Sequence, residues 1–597
     1  MGMKRVLVMV ILFGLLAGAA YAADAANPVE SQMTALAGGE AGGSPAHYFV
    51  FEAQADGTIT PVSYQAVRMA APMYSLSVER LNQALAQPGR NASALVVLLV
   101  DAQGRVVYRD LVSISPWLRG EFHSRDGTDS IDGHFIEQES SAFVVRLPQL
   151  KAARLVLQDA NLSTLASFDL EALIANTPAA DTSSAPLLAV TQRLSGSPAN
   201  RVDLVVMGDG YTALQSADFQ ADAQAVLDSF FSISPLTEYS NYYNLYTLEI
   251  ASEESGADHP EYSETCSYYS PHCCGDLEML EDPQQGLMVD TAFDSHYCGY
   301  WVYRLLVASY TKAYAAAGAI PDWDQLILIV NDDTYGGSGY PALAIISTHE
   351  LAVNIAQHEY GHSFADLADE YDSPYPGYEA CSDLPESSTP CEVNVTDISE
   401  RAQIKWQPWI EESTPIPTPE ELSYDGLVGL FEGARYLESG MYRSGNKCLM
   451  RALGYPYCQV PTQAMVLRLY EGGWGVPEDG ISLIEPGSTQ PESTSLKVDY
   501  PATITFSAEL LSPVGGPPIE ITWLDNGLPI AGATGSTLVY TTPVNSAGVH
   551  AISLRVKDVT ALVHPLMAGD TLVEEYTWLV EVAPTNLSTL LLPLMWK

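Results

Sequence analysis

The sequence predicts a multidomain protein in which a central α/β domain lies between an N-terminal and a C-terminal β-sandwich. Three observations predict it. Short apolar or alternating runs broken by turn residues fill residues 45–172, the pattern of strands. From residue 202 strands and helices alternate, which is the order of an α/β domain. After a stretch rich in Pro, Ser and Glu, strands alone return from residue 495. At 597 residues and 47% hydrophobic, the chain has room for about three domains.

Residues 1–22 have a basic start, Lys4-Arg5, then an uncharged apolar run and Ala20-Tyr21-Ala22 before Ala23. This is the pattern of a cleavable secretory signal, so the mature chain is expected outside the cell. The formal charge of −46 and pI near 4.3 agree with an exported, strongly anionic surface. Such a surface repels nucleic acid and anionic membranes. Residues 24–44, rich in Ala and Gly, read as a lead.

The N-terminal sandwich rests on Tyr48-Phe49-Val50-Phe51, Ala94-Leu95-Val96-Val97-Leu98-Leu99-Val100, Arg105-Val106-Val107-Tyr108, Ala142-Phe143-Val144-Val145 and Arg154-Leu155-Val156-Leu157. Asp56-Gly57 and Gln103-Gly104 supply turns between them. It carries no catalytic set and reads as a structural cover. Asn176-Thr177-Pro178 and the Ser/Pro-rich residues after it form a linker.

The central domain, residues 190–480, opens with Val202-Asp203-Leu204-Val205-Val206-Met207-Gly208 as a buried strand, then a helix over 216–231 and a strand at 246–251. Gly208-Asp209-Gly210 lacks the Gly-Lys-Ser/Thr of a phosphate loop. A helix is predicted over 301–316, a central strand over 324–331, and a strand over 342–347 after Gly336-Gly337-Ser338-Gly339. Glu350-Leu351-Ala352-Val353-Asn354-Ile355-Ala356 starts the next helix.

That helix carries the chemistry. His358 and His362 lie about one turn apart, so both imidazoles project from one face and can bind one metal ion. Glu359 sits beside them, placed to take a proton from a metal-activated water and pass it to a leaving amine. With 11 His in the chain, a chance His-Glu-x-x-His is expected only about 0.01 times. A third ligand is needed, and beyond His362 only His550 and His564 remain, both in the C-terminal sandwich. A carboxylate is therefore preferred. Asp369 follows the helix, and Asp372-Ser373-Pro374-Tyr375-Pro376-Gly377 marks where the chain has turned away. Glu370 and the upstream His259, His272, His296 and His349 stay open as alternatives.

The stretch His358-Glu359-Tyr360-Gly361-His362-Ser363-Phe364-Ala365, with Leu367-Ala368-Asp369-Glu370-Tyr371 and Asp203-Leu204-Val205-Val206-Met207-Gly208-Asp209-Gly210-Tyr211-Thr212, resembles the bacterial IgA peptidase family of metzincin-like zinc endopeptidases. Phe230-Phe231-Ser232-Ile233-Ser234-Pro235, Glu254-Ser255-Gly256-Ala257-Asp258-His259-Pro260 and Cys448-Leu449-Met450-Arg451 add to a resemblance that spans about residues 45–475. It implies zinc held by His358, His362 and Asp369, Glu359 as base, and Met450 under the metal in a tight turn. It also implies an edge strand just before the zinc helix, onto which a peptide substrate adds as an extra strand. One departure stands out. Where the metzincin pattern has Gly and a third His, this chain has Ala365 and Ala368. Tyr436 and Tyr442 are candidates to stabilise the oxyanion.

All eight Cys fall in this domain, which in an exported chain reads as up to four disulfides of unspecified pairing. Cys266, Cys273 and Cys274 beside His272 are the weaker candidate for a second metal site. The run at 464–471 is the closing helix. From residue 495 to 585, Ile521-Thr522-Trp523-Leu524 before Asp525-Asn526-Gly527, with Ala551-Ile552-Ser553-Leu554-Arg555-Val556, resembles an immunoglobulin-like sandwich without its disulfide. Such modules hold enzymes to a surface or act as spacers. The tail from Leu590 is too short to span a bilayer.

The expected function is that of a secreted zinc endopeptidase acting on proteins, with immunoglobulin A named by the family. A catalytically silent adhesin binding glycan or protein is the alternative from another class, and a zinc hydrolase of a non-peptide amide is a third.

Overall fold

In Tyr48-Phe49-Val50-Phe51 every residue is apolar, and both faces of the strand find a core. Tyr48 and Val50 join the largest apolar cluster, while Phe49 and Phe51 join a second one. The computed structural model describes residues 43–583 except 71–72, 74, 86–93, 124–130, 181–187, 374–379, 388, 473–479 and 544–546. The secretory signal, most of the lead, the Pro374-Tyr375-Pro376-Gly377 stop and the tail from Leu590 lie outside the described residues.

The N-terminal part contributes β1 (Ser44–Gln54), β2 (Ile59–Met69), β3 (Ala94–Val100), β4 (Val106–Ser113), β5 (Trp117–His123), β6 (Ile131–Glu137), β7 (Ser140–Pro148), β8 (Arg154–Gln158) and β9 (Thr164–Asp169). Sheets of order β2-β1-β7 and β4-β3-β8-β9 share the second cluster, built from Phe49, Phe51, Leu95, Val97, Phe143 and Leu155. The first sheet's other face packs on the central domain, where Tyr48 donates its hydroxyl to Tyr314 O at 2.6 Å. It is therefore buried on both sides.

The central part adds β10 (Leu188–Arg193), β11 (Val202–Asp209), α1 (Ser216–Phe230), β12 (Tyr243–Glu249), β13 (Glu261–Tyr262), β14 (Cys273–Cys274), α2 (Tyr310–Ala317), β15 (Gln325–Val330), β16 (Gly337–Tyr340), β17 (Leu343–Ser347) and α3 (Val353–Ala365). An eight-stranded sheet runs in the order β10-β12-β11-β15-β17-β16-β5-β6. Its middle, β12, β11, β15 and β17, is parallel, and every residue of these strands is buried. Continuous apolar runs suit strands covered on both faces. Helix α1 buries Phe219, Ala223, Leu227 and Phe230, a single face at helical spacing.

Two expectations are corrected here. The helix predicted over 301–316 is only α2, Tyr310–Ala317. Residues 302–309 instead form a turn at 303–304 followed by two bridges, because their backbone pairs across the fold: Leu305 bridges Gly337 and Val307 bridges His296. Long-range hydrogen bonds override local helix propensity. Strand β17, expected at an edge, is interior, with β15 on one side and β16 on the other. The outer strands β5 and β6 come from within residues 45–172, so part of the N-terminal region completes the central sheet.

Beyond α3 come β18 (Val395–Thr396), β19 (Phe431–Ala434), β20 (Leu437–Arg443) and α4 (Gln459–Glu471), the closing helix. The C-terminal part holds β21 (Ser495–Asp499), β22 (Thr503–Ser507), β23 (Glu520–Asp525), β24 (Leu528–Pro529), β25 (Thr537–Thr541), β26 (Gly548–Lys557) and β27 (Val573–Ala583). Sheets β21-β27-β26-β23-β24 and β22-β25 meet around Trp523 and Trp578, which stack at 5.9 Å and are fully buried. This part is tied to the centre by Asp558, which accepts from Tyr239 at 2.6 Å and Tyr470 at 2.7 Å. The molecule is multidomain and mostly β. No described helix is long and apolar enough to cross a membrane.

Asp209, at the end of β11, organises the loops near the sheet's carboxyl end. Fully buried, it accepts from Ser252 Oγ, Thr291 Oγ1, Phe293 N–H and both donors of Ser295. Removing the acceptor leaves these donors unpaired away from water, at about 1 to 3 kcal/mol for each that stays unsatisfied. Asp209→Ala is expected to lower the unfolding free energy by about 3 to 5 kcal/mol in urea titrations followed by fluorescence. An unchanged midpoint would contradict this role.

Candidate metal centre

Helix α3 places His358 and His362 on one face, and what surrounds them fixes which nitrogen each presents. His358 Nδ1 donates to Leu449 O at 3.0 Å, and His362 Nδ1 donates to Leu367 O at 2.6 Å. Each ring therefore turns a bare Nε2 inward, and the two lie 3.0 Å apart. Asp369 Oδ1 completes the group at 3.2 Å from His358 Nε2 and 3.1 Å from His362 Nε2. His358 and Asp369 are fully buried. Lone pairs aimed at one another in a dry pocket repel unless a cation or proton lies among them. Donors on a tetrahedral zinc ion sit about 3.3 Å apart, so this set fits such an ion. Burial and the nearby Arg119 guanidinium lower the His362 pKa, favouring the neutral ring a metal requires. Burial alone would raise the Asp369 carboxyl, yet a proton shared by the facing imidazoles, in the place a cation would take, and the Arg119 guanidinium hold it well below the usual carboxylate range.

The turn that delivers Asp369 answers the departure noted at Ala365. The left-handed residue is Asp366, at φ 53° and ψ 44°, while Ala365 remains helical. Aspartate tolerates that conformation better than most residues. The amides of Asp366 and Leu367 then donate to His362 O and Gly361 O, which closes the helix end. Asn394 receives the exit, accepting from the Ala368 amide at 2.8 Å.

Glu370 points elsewhere. It accepts from Asn394 at 2.9 Å, and burial pushes its carboxyl up to about 7. The upstream histidines are engaged away from this group. His259 lies between Asp282 and Asp332, His296 meets Asp294 O, and His349 accepts from the Leu351 amide. Among the described residues, His272 joins no metal-binding group. Cys266 pairs with Cys273 and Cys274 with Cys298, which removes the thiolates of the second-site alternative; Cys381 pairs with Cys391.

Glu359 is 5% exposed, and its Oε1 has no hydrogen-bond partner among the described residues. Its carboxyl packs on Gly339 of β16, where a Cβ would stand 1.9 Å from the carboxyl carbon. That contact explains a glycine in the 336–339 run, most of which lies in strand β16. Met450 packs on Gly361, between the two histidines in sequence, its sulfur 2.8 Å from where a Cβ on Gly361 would be. Met450 O also accepts the Glu370 amide at 2.8 Å, which ties this turn to the ligand segment.

Of the two tyrosines singled out from sequence, Tyr436 donates to Asp369 Oδ2 at 3.0 Å, whereas Tyr442 packs against the cluster around Trp406. Three contributors are not singled out by the sequence. Tyr371 brings its hydroxyl 2.8 Å from His358 Nε2, with its ring stacked on the imidazole. Arg119 of β5 reaches Asp369 Oδ2 at 3.3 Å. Gly339 makes room for the base. Tyr371 lies inside the motif and is legible there as a candidate; Arg119, 250 residues from its partner, has no local signal.

The comparisons with known proteins bear on this centre. No curated protein matches the chain. Among solved structures, a nucleoside hydrolase-related hypothetical protein from Saccharophagus degradans aligns at 12% identity over 45% of this chain and 64% of that one, with TM-score 0.14. The chain thus spans less than two thirds of that protein. A putative beta-galactosidase from Bacteroides fragilis aligns at 7% identity over 91% of this chain and 73% of that one, with TM-score 0.11. Scores this low bear on neither fold nor function. Residues 190–269 and 273–424, which include the two histidines and Asp369, match the family described as IgA Peptidase M64. Through this central region the chain is similar to the IgA peptidases of the M64 family.

Proposed function

We propose that the protein is an exported zinc endopeptidase in which His358, His362 and Asp369 hold the ion and Glu359 is the general base. The observation that carries this reading is the triangle of two Nε2 atoms and one carboxylate oxygen, with edges of 3.0 to 3.2 Å. A bound zinc ion supplies Lewis acidity to a peptide carbonyl and acidifies water. The chain's own residues do the rest. Glu359, with an oxygen unpartnered among the described residues, accepts the proton of the attacking water and returns it to the leaving nitrogen. The Tyr371 hydroxyl, beside the ligand atom of His358, is placed to donate to the oxyanion that develops on the carbonyl. Tyr436 holds Asp369 in place. Protein is the substrate class; immunoglobulin A rests on the family's name and is the first protein to try.

Three disulfides support an exported chain, since such bonds persist in oxidising compartments. The N-terminal sheets, residues 45–172, and the immunoglobulin-like C-terminal unit, residues 495–585, are read as a cover and as a spacer or surface anchor.

Casein digestion with and without a chelator, alongside zinc quantification, tests the assignment. Glu359→Gln is expected to keep one zinc per chain and to lose about a thousandfold in kcat/KM, whereas His362→Ala loses the metal itself. Activity that ignores the chelator would reject the reading in favour of a silent binding protein or another hydrolase. Tyr371→Phe is expected to retain zinc and KM while kcat falls about ten- to a hundredfold; a loss of metal instead would make the hydroxyl a ligand. Cys448 and Cys458 have sulfurs within 4.8 Å of each other. During export these two thiols are expected to give two protons and two electrons to a disulfide-bearing oxidoreductase and to join. Non-reducing peptide mapping should recover a Cys448–Cys458 link, and two titratable thiols in the folded secreted chain would exclude it.

A further inference from the structure

Strand β16 is antiparallel to β17 and lies against Glu359, so its outer edge is where an extended substrate would add beside the metal centre. In this chain that edge is already filled. The Gly337 amide donates to Arg304 O at 3.2 Å, and Gly337 O accepts from the Leu306 amide at 3.3 Å. Two residues on, Gly339 pairs with Arg119 of β5. A strand needs unpaired amides and carbonyls to recruit another strand, and here both outward residues have partners.

The β5–β6 hairpin does more than pair. Arg119 forms an ion pair with Asp369 at 3.3 Å. Gly133 of β6 lies against the site tyrosines: a Cβ there would stand 3.2 Å from the Tyr371 ring and 3.5 Å from the Tyr436 hydroxyl. The hairpin is also anchored. Leu118, Phe122 and Ile136 belong to the main core, and Phe122 lies 4.9 Å under the Arg304 guanidinium and edge-on to Tyr335. His358 and Asp369 have no exposed surface and the His362 side chain only 7%, yet a scissile bond must reach the group they form.

We propose that the β5–β6 hairpin is a built-in plug that keeps the metal centre closed to extended polypeptide, with Arg119 as its bolt on Asp369. The plug fills the place of a substrate strand at Gly339, so protein cleavage by the chain as folded is slow and proceeds through the small fraction of molecules in which β5 has left β16. Arg119 acts here as a positioning residue. The proposal rests on the peptidase reading for its consequence, but the shielding itself can be measured without catalysis.

The test uses the full-length zinc-loaded chain and the variants Arg119→Ala and Phe122→Ala. Arg119→Ala removes only a partly exposed side chain, so it keeps the test open should Phe122→Ala fail to fold. The first readout is the rate at which 4-(2-pyridylazo)resorcinol extracts zinc. The second is casein hydrolysis. If weakening the hairpin raises the open fraction about tenfold, both rates rise about tenfold. An unchanged zinc-release rate in the folded variants overturns the plug. So does casein cleavage that is already measurable in the wild type and fails to rise. If no form cleaves casein while zinc release accelerates, the plug stands and the peptidase reading falls, so the two failures are told apart.

Discussion

Two backbone carbonyls, Leu449 O and Leu367 O, decide what this molecule can bind. Each takes the Nδ1 proton of one histidine, which leaves the opposite nitrogen unprotonated and aimed at a buried carboxylate. Such hydrogen bonds to the far nitrogen fix the tautomer and ring orientation of a metal-ligating imidazole. The carbonyls come from different places. Leu367 follows the helix directly, while Leu449 arrives with the Met450 turn from about ninety residues downstream. The turn and the ligand segment are tied again by the Glu370 amide on Met450 O. The centre therefore depends on long-range packing as much as on the helix that names it.

The same dependence shapes its surroundings. Asp369 is held by Tyr436 from β19–β20 and by Arg119 from β5, which places groups from two distant parts of the chain on one carboxylate. Among the described residues the Glu359 Oε1 has no such partner. A carboxylate fully tied by hydrogen bonds is a weaker base, since bonds to its charged form stabilise that form. The contrast between a clamped Asp369 and a less tied Glu359 is what the proposed roles of ligand and base call for within one pocket.

Much of this is legible in the order of the amino acids. The strands at 94–100, 202–209, 325–330 and 343–347 follow from continuous apolar runs, and the helix at 353–365 from its spacing. Runs of one character on both faces mean burial on both sides, which local composition does encode. The helix expected over 301–316 fails for the opposite reason. Its Tyr, Leu and Ala content favours helix, but its backbone pairs with Gly337 and His296, and those partners are not visible from the segment itself. The metzincin pattern puts the turn at the position of Ala365, yet the left-handed residue that ends α3 is Asp366, because the turn depends on where Asn394 receives the chain.

What the sequence determined by itself was the donor chemistry: two imidazoles a turn apart, an acid between them and a second acid soon after, all within one helix and its exit. Spacing along a helix is a local property, so one stretch of chain is enough to state it. Tertiary structure alone decided the tautomers, the clamp on Asp369, the place of Tyr371 and the closing of β16 by β5. Each of these is a contact between segments far apart in sequence, formed only because the apolar faces of β1, β5 and β7 bury against the central domain, and no local pattern records which partner a strand edge will meet.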